Sequence, residues 1–215
     1  MPIWKLIGFV VALFALTLQE DSRLLLKPDS AEMNQRAPDV CHVRLQTTKG
    51  DIRMEMRREW APNGVDRFYN LVRHGYYDQS AIFRIRTGMW AQFGINGDPR
   101  ISQLWRMGTI PDDPRKESNV RGTVAFAFKD RNGRSTQVFI NLRDNSATHD
   151  KEPFVPIAKV IEGMDVVDSL YSGYGETAGG GIRAGKQDLL FTRGNTYLKQ
   201  NYPLLDYIVK ATVEK

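Results

Sequence analysis

Apolar and polar residues alternate from Val43 onward, with Val43, Leu45 and Thr47 on one side and Arg44 and Gln46 on the other. After Lys49-Gly50 the same period returns, Ile52, Met54 and Met56 against Arg53, Glu55 and Arg57. This pattern predicts an antiparallel hairpin with Lys49-Gly50 in its turn. The period then changes. Pro62 opens a run in which Val65, Phe68, Tyr69 and Val72 recur at steps of three and four until Gly75, which predicts an amphipathic helix with a glycine stop. Dense β-formers return in residues 81–98, 122–128, 135–141 and 155–161, and Met164, Val167 and Leu170 or Tyr171 mark a second short helix after Gly163. Two helices against many strands, without β-α-β alternation, predict a mostly β fold, a closed antiparallel β-barrel capped by two α-helices.

Between these segments the pattern lapses. Residues 95–118 have no sustained period and contain Pro99, Pro111 and Pro114, so they read as a long surface connection. In the glycine-rich stretch 173–186, Gly180 to Lys186 has the spacing of a phosphate-binding loop, but Gln187 stands where a Ser or Thr would hold magnesium and no buried strand leads in. A surface loop is the better reading. The tail carries a compact apolar run, Leu204, Leu205, Tyr207 and Val209, expected to pack back on the barrel with a strand over 207–213. At the other end a single Lys5 precedes the mostly apolar residues 6–18, which are short for a membrane span and of the right length for an export signal. An uncleaved anchor in contact with a membrane is the alternative, because no small-x-small cleavage pattern precedes Gln19-Glu20-Asp21. The expected organisation is a signal peptide or anchor over 1–19, a spacer with Pro28 and Pro38 over 20–41, a core over 42–171, and a glycine-rich loop with a packing C-terminal segment over 172–215.

Composition narrows the chemistry. At 215 residues, 41% hydrophobic and 26% charged, the chain has room for one sizeable core. The net charge of +5 is spread among acidic residues, which suits a solvated surface rather than a nucleic-acid footprint. Nothing suggests an obligate dimer, so a monomer is expected. Cys41 is the only cysteine, which excludes an internal disulfide; His42 beside it would face the opposite way on a strand, leaving no thiol–imidazole pair. His42, His74 and His149 lie in unrelated settings without metal-ligand spacing, and Asp112-Asp113 beside prolines read as turn residues rather than an acid/base dyad. No metal and no cofactor is implied. What remains is a permanent charge on an apolar strand: alternation places Phe83, Ile85 and Thr87 on one side and Ile82, Arg84 and Arg86 on the other.

The residues around that charge resemble a known family. Phe83-Arg84-Ile85, Gly88-Met89-Trp90-Ala91-Gln92-Phe93-Gly94, Gly97-Asp98, then Ser135-Thr136-Gln137-Val138-Phe139-Ile140-Asn141 and the run from Lys159 to Asp168 occur in the order of a cyclophilin-type peptidyl-prolyl isomerase, over roughly residues 42–171. The resemblance implies an eight-stranded barrel and an enzyme that speeds rotation about X–Pro bonds in proline-containing polypeptides. By that likeness Arg84 is the catalytic arginine, Gln92 and Gln137 hold it and the substrate backbone, and Met89, Trp90 and Phe139 line the proline pocket. His149 and Phe154 would stand at its rim, and Ala127, Phe128 and Lys129 would pair with the extended peptide.

The chain departs from the family pattern in places. Met89-Trp90 stands where Phe-Met is usual, Thr87 where proline is, Phe154 where histidine is and His149 where leucine is, and the tryptophan that often supports cyclosporin binding is missing. The functional expectation is an exported isomerase acting on folding proteins. A non-catalytic module that holds proline segments in the same groove is the alternative, and a barrel holding a small ligand is disfavoured by strands dense in bulky residues.

Overall fold

The structure, a computed structural model, describes residues 23–180 and 186–214. The first alternating stretch forms the expected hairpin, β1 (Val40–Thr47) paired antiparallel with β2 (Gly50–Arg57), with Thr47 opposite Gly50. Its apolar face, Val43, Leu45, Ile52, Met54 and Met56, is fully buried. Helix α1 (Pro62–Arg73) begins with proline in its first turn, where no backbone N–H is lost. Its free N-terminal amides are capped from outside the helix: Asn63 N–H and Gly64 N–H donate to the Asp113 carboxylate at 3.0 and 2.8 Å.

The remaining strands are β3 (Ser80–Ala81), β4 (Arg84–Arg86), β5 (Trp90–Phe93), β6 (Thr123–Phe126), β7 (Val138–Asn141), β8 (Pro156–Glu162) and β9 (Tyr207–Glu214). All pairings among these strands are antiparallel, in the order β3-β9-β1-β2-β8-β6-β7-β5-β4. Register shifts at Gln46/Thr47, Arg53/Met54 and Val124/Ala125 bend the ladder. The expected closed eight-stranded barrel is therefore corrected to a nine-stranded curled sheet, a half-barrel. Its edge strands β3 and β4 are only two and three residues long and do not pair with each other, although Ile82 and Phe83 alone separate them in the chain. That break also shifts the side-chain phase. Ile82 and Ile85 both enter the main core, whereas Phe83 joins a second apolar cluster.

The helices are also more numerous than two. Beside α1 the described residues contain α2 (Pro99–Met107), the short α3 (Ser146–His149) and α4 (Met164–Asp168), and α5 (Asp188–Asn201). Helix α2 lies inside the stretch read as a surface connection. Asp98 caps it, accepting from the N–H of Arg100 at 2.9 Å, and Pro99 occupies its first turn. Helix α5 carries the second cluster, in which Leu190, Phe191 and Leu198 pack with Ala81, Phe83, Ile95, Ala178 and Leu205. A kink at Gly194, whose φ is +51°, lets its backbone press on Gly97; a Cβ there would lie 2.1 Å from the Gly97 carbonyl oxygen.

The stretch read as a spacer is packed from residue 23 onward: Leu25, Met33 and Ala37 belong to the main core. The expected signal or anchor over 1–19 lies outside the described residues, as does most of the phosphate-loop spacing at 181–185. Among the described residues no helix is long and apolar enough to cross a membrane. Cys41 is buried, and burial pushes its thiol up to about 11, too high for a reactive thiolate. Trp105 of α2 ties the new helix to the rest. It is fully buried, its indole N–H donates to the Leu25 carbonyl at 2.7 Å, and Tyr76 meets it edge-on at 5.8 Å.

Truncation of this anchor is the sharpest test of the packing. Trp105→Ala is expected to lower the unfolding free energy by about 3–5 kcal/mol, measured by urea denaturation. A loss under about 1 kcal/mol would contradict the placement of α2 and Leu25 in the core.

Candidate active site

The site is built where β4, β5, β7 and the segment after β6 come together. Arg84 sits opposite Gln92 across the β4–β5 ladder, and Gln92 sits opposite Phe139 across β5–β7. The sheet itself brings them together. Two tyrosines after α1 steady the approach to β7: Tyr76 and Tyr77 hydroxyls donate to the Thr136 hydroxyl and carbonyl at 3.1 and 2.8 Å. Gly94 lets β5 press on the same turn, since a Cβ there would lie 2.4 Å from the Thr136 carbonyl oxygen.

From this frame a line of carboxamides leads to the guanidinium. Arg84 Nη1 donates to Gln92 Oε1 at 2.8 Å, Gln92 Nε2 donates to Gln137 Oε1 at 2.8 Å, and Gln137 Nε2 donates to Gln187 Oε1 at 2.9 Å. Gln92, Gln137 and Gln187 are all buried. Each amide is thus oriented by the next, and the arginine receives an acceptor that is neutral. On its other edge Arg84 donates from Nε to Glu176 Oε1 at 2.9 Å and from Nη2 to the same oxygen.

In front of Arg84 lies a cleft of about 350 Å³ lined by Arg84, Arg86, Met89, Trp90, Gln92, Ala127, Phe128, Phe139, Thr148, His149, Glu152 and Phe154. Its floor is aromatic. His149 lies 5.4 Å from both Trp90 and Phe139 and 4.8 Å from Phe154, and Phe154 lies 4.7 Å from Phe128, centroid to centroid. Arg84 and Arg86 both stack on Trp90, their guanidinium carbons 5.3 and 5.2 Å from its ring. Burial holds the His149 imidazole below its ordinary 6.5, although Glu152 and Asp150 pull the other way. A neutral ring suits an apolar floor.

Of the residues singled out from the sequence, the cleft collects Arg84, Met89, Trp90, Gln92, Ala127, Phe128, Phe139, His149 and Phe154. Two stand elsewhere. Gln137 is buried behind Gln92, and its relay bonds engage both its amide nitrogen and its oxygen. Lys129 lines a neighbouring hollow of about 160 Å³ with Arg106, Gly133, Ser135, Gln137, Gln187 and Phe191. The chain turns just beyond Lys129, where the Asp130 carbonyl accepts from the Gly133 N–H at 3.0 Å.

Sequence reasoning passed over Glu176 and Gln187. Glu176 is 92 positions from Arg84, and no local pattern links them. Gln187 figured only as the residue that spoils a phosphate loop. The carboxylates Asp112 and Asp113 prove to be separate structural groups: Asp112 pairs with Arg134 and Asp113 caps α1. Among the described residues no cluster of His, Cys, Asp and Glu could hold a metal ion.

Comparison with known proteins identifies the family. Residues 42–183 match the model of the family described as cyclophilin type peptidyl-prolyl cis-trans isomerase/CLD. The chain is 33% identical over 159 residues to a Neurospora crassa "peptidyl-prolyl cis-trans isomerase-like 2", covering 70% of this chain and 25% of that protein. It is 32% identical over 145 residues to a Brucella suis "probable peptidyl-prolyl cis-trans isomerase", covering 61% of this chain and 71% of that one. Among solved structures, a Cryptosporidium parvum cyclophilin-type isomerase aligns with a TM-score of 0.58 at 16% identity over 82% of this chain and 98% of that one, which bears on the fold alone. A second structure of that protein, in the presence of the dipeptide Ala-Pro, aligns with a TM-score of 0.57 at 18% identity, over 81% of this chain and 99% of that one.

The state of the imidazole is directly measurable. Because its folded value is depressed, the unfolded chain binds the proton first as pH falls, so His149 contributes stability above its unfolded value of about 6.5 that drains away below it. NMR titration of the His149 ring is expected to give a midpoint below 6.5. A midpoint above that value would contradict the buried, neutral ring.

Proposed function

Because the chain belongs to the cyclophilin-type peptidyl-prolyl cis-trans isomerases, we propose that the cleft in front of Arg84 accelerates rotation about X–Pro bonds, with Arg84 as its catalytic residue. Amide resonance opposes this rotation with a barrier of about 18–20 kcal/mol, so the uncatalysed step takes tens of seconds or more. At the top of the barrier the peptide is twisted, conjugation is lost, and the prolyl nitrogen becomes pyramidal with a free lone pair. An N–H aimed at that nitrogen is accepted strongly in the twisted state and weakly in the planar one. This is differential binding of the transition state. No proton is transferred and no bond is broken, so a group that never titrates serves well.

The observation that carries this reading is a guanidinium held in place by the neutral Gln92, at the mouth of an aromatic cleft. Trp90, Phe139, His149 and Phe154 supply a floor on which the flat proline ring can rest while the preceding carbonyl swings. Ala127 and Phe128 form a rim beside which an extended peptide can lie. The Ala-Pro dipeptide present with the Cryptosporidium relative belongs to the substrate class proposed for this chain. We extend the proposal to clients in an exported compartment, reached by a signal or held by an anchor in residues 1–19, with the protein acting as a monomer; the apolar run 6–18 supports the first part.

The direct test is the cis-to-trans rate of a short Ala-Pro-Phe-type peptide with the full chain. Arg84→Ala is expected to lower kcat/KM by about 10²–10³, with peptide affinity changed only a few-fold. Arg84→Lys should not restore it, because an ammonium lacks the planar fork. Full acceleration by Arg84→Ala would overturn the assignment. Peptide binding without acceleration in the parent chain would leave a binding module as the account of the cleft.

A further inference from the structure

The segment after α4 reaches the site from outside the sheet and is tied to it at several points. Ile85 N–H donates to the Gly175 carbonyl at 3.1 Å, fastening the segment to β4 one residue from Arg84. Tyr174 packs edge-on against Tyr171 and Tyr202 at 5.0 and 5.1 Å, and the Tyr202 hydroxyl donates to the Thr177 carbonyl at 3.0 Å. Ala178 is buried, and Gly179 lies so close to Phe83 and Leu190 that a Cβ would meet each at 2.7 Å. Glu176 is held between these anchors, with its carboxylate on Arg84.

We propose that Glu176 is a positioning residue for catalysis: it sets the guanidinium of Arg84 in the orientation from which it acts on the prolyl nitrogen. The inference rests on the reading of Arg84 as the catalytic group. A guanidinium has five N–H donors. Glu176 engages Nε and one donor of Nη2, while Gln92 engages one donor of Nη1. One N–H on each terminal nitrogen is left for a ligand.

The two clamps act on opposite edges of one rigid plane, so together they fix its rotation as well as its position. Gln92 alone would leave the plane free to turn about a single bond. The stacking of Trp90 restrains its height and not its direction. Stability gains little from the pair, because the Glu176 side chain is 47% exposed and Arg84 16%, and exposed ion pairs contribute weakly. Orientation gains more, since a donor displaced from its productive line loses much of its effect on rate. The carboxylate also draws charge from the fork, which opposes catalysis; the geometry argues that fixing the direction outweighs this, because each terminal nitrogen still has one N–H free of both clamps.

The test compares the full-length parent with Glu176→Ala, Glu176→Gln and Arg84→Ala. Glu176→Ala is expected to lower kcat about tenfold with KM and the unfolding midpoint unchanged. Glu176→Gln, which keeps an acceptor oxygen, should restore most of the rate. In parallel, the ¹⁵N-resolved Nε–H signal of Arg84, assigned by its loss in Arg84→Ala, should exchange with water faster in Glu176→Ala than in the parent. Parental kcat in Glu176→Ala while Arg84→Ala is inactive would overturn the inference and spare the assignment of Arg84. A faster Glu176→Ala would overturn it too and make Glu176 a brake on the enzyme. Parental activity in Arg84→Ala would remove the reading on which it rests.

Discussion

A permanently charged group on an apolar sheet must be held in one orientation. Arg84 is placed on β4 by the alternation of its strand and then restrained by Gln92, whose own direction depends on Gln137 and, behind that, Gln187. Neutral carboxamides suit the task. Each supplies one acceptor and one donor, so the line passes orientation inward without adding a second charge to the interior, where an unpaired one would be costly. Much of the sheet's design follows from it: antiparallel pairing sets Arg84 opposite Gln92 and Gln92 opposite Phe139, and the tyrosines after α1 hold Thr136 beside Gln137.

The other half of the site is a floor with little to donate. Aromatic rings at 4.7–6.4 Å from one another form a surface that takes a flat, apolar ring and leaves the amide beside it facing the guanidinium. His149 packs in that floor, and the burial holds its imidazole below the ordinary 6.5. The departures from the family pattern fit together here: histidine and phenylalanine occupy neighbouring places, and Trp90 serves both as wall and as the face on which two arginines stack. Polar and apolar halves meet along β5, where Trp90 and Gln92 stand two residues apart.

What the sequence makes legible follows period and adjacency. The β1–β2 hairpin and helix α1 carry a two- or three-to-four-residue repeat of their own, the strands β6, β7, β8 and the final strand over 207–214 are short runs of β-formers, and all of them form. Helix α2 opens on a helix-start signal, Asp98-Pro99, that is masked by the loop chemistry of the prolines after it. Helix α5 has a weaker pattern, interrupted at Gly194 by a kink needed for contact with Gly97. The ladder stays open between β3 and β4, short edge strands that no local pattern sets apart and that do not pair with each other. In the site, residues near Arg84 on the sheet could be found by resemblance to the family. Glu176 and Gln187 could not, because they arrive from the C-terminal segment through tertiary contacts alone. Lys129 lines the neighbouring hollow rather than the cleft.

The central claim is that the cleft turns the X–Pro bond of a peptide while holding it, and magnetisation-exchange NMR observes that event without any coupled reaction. With a proline peptide in excess over the full chain, the account predicts exchange cross-peaks between the cis and trans signals of the peptide together with shifts of the Trp90 indole and His149 ring resonances. Shifts of those two residues without exchange cross-peaks would show a groove that binds proline and does not turn it, and would contradict the account.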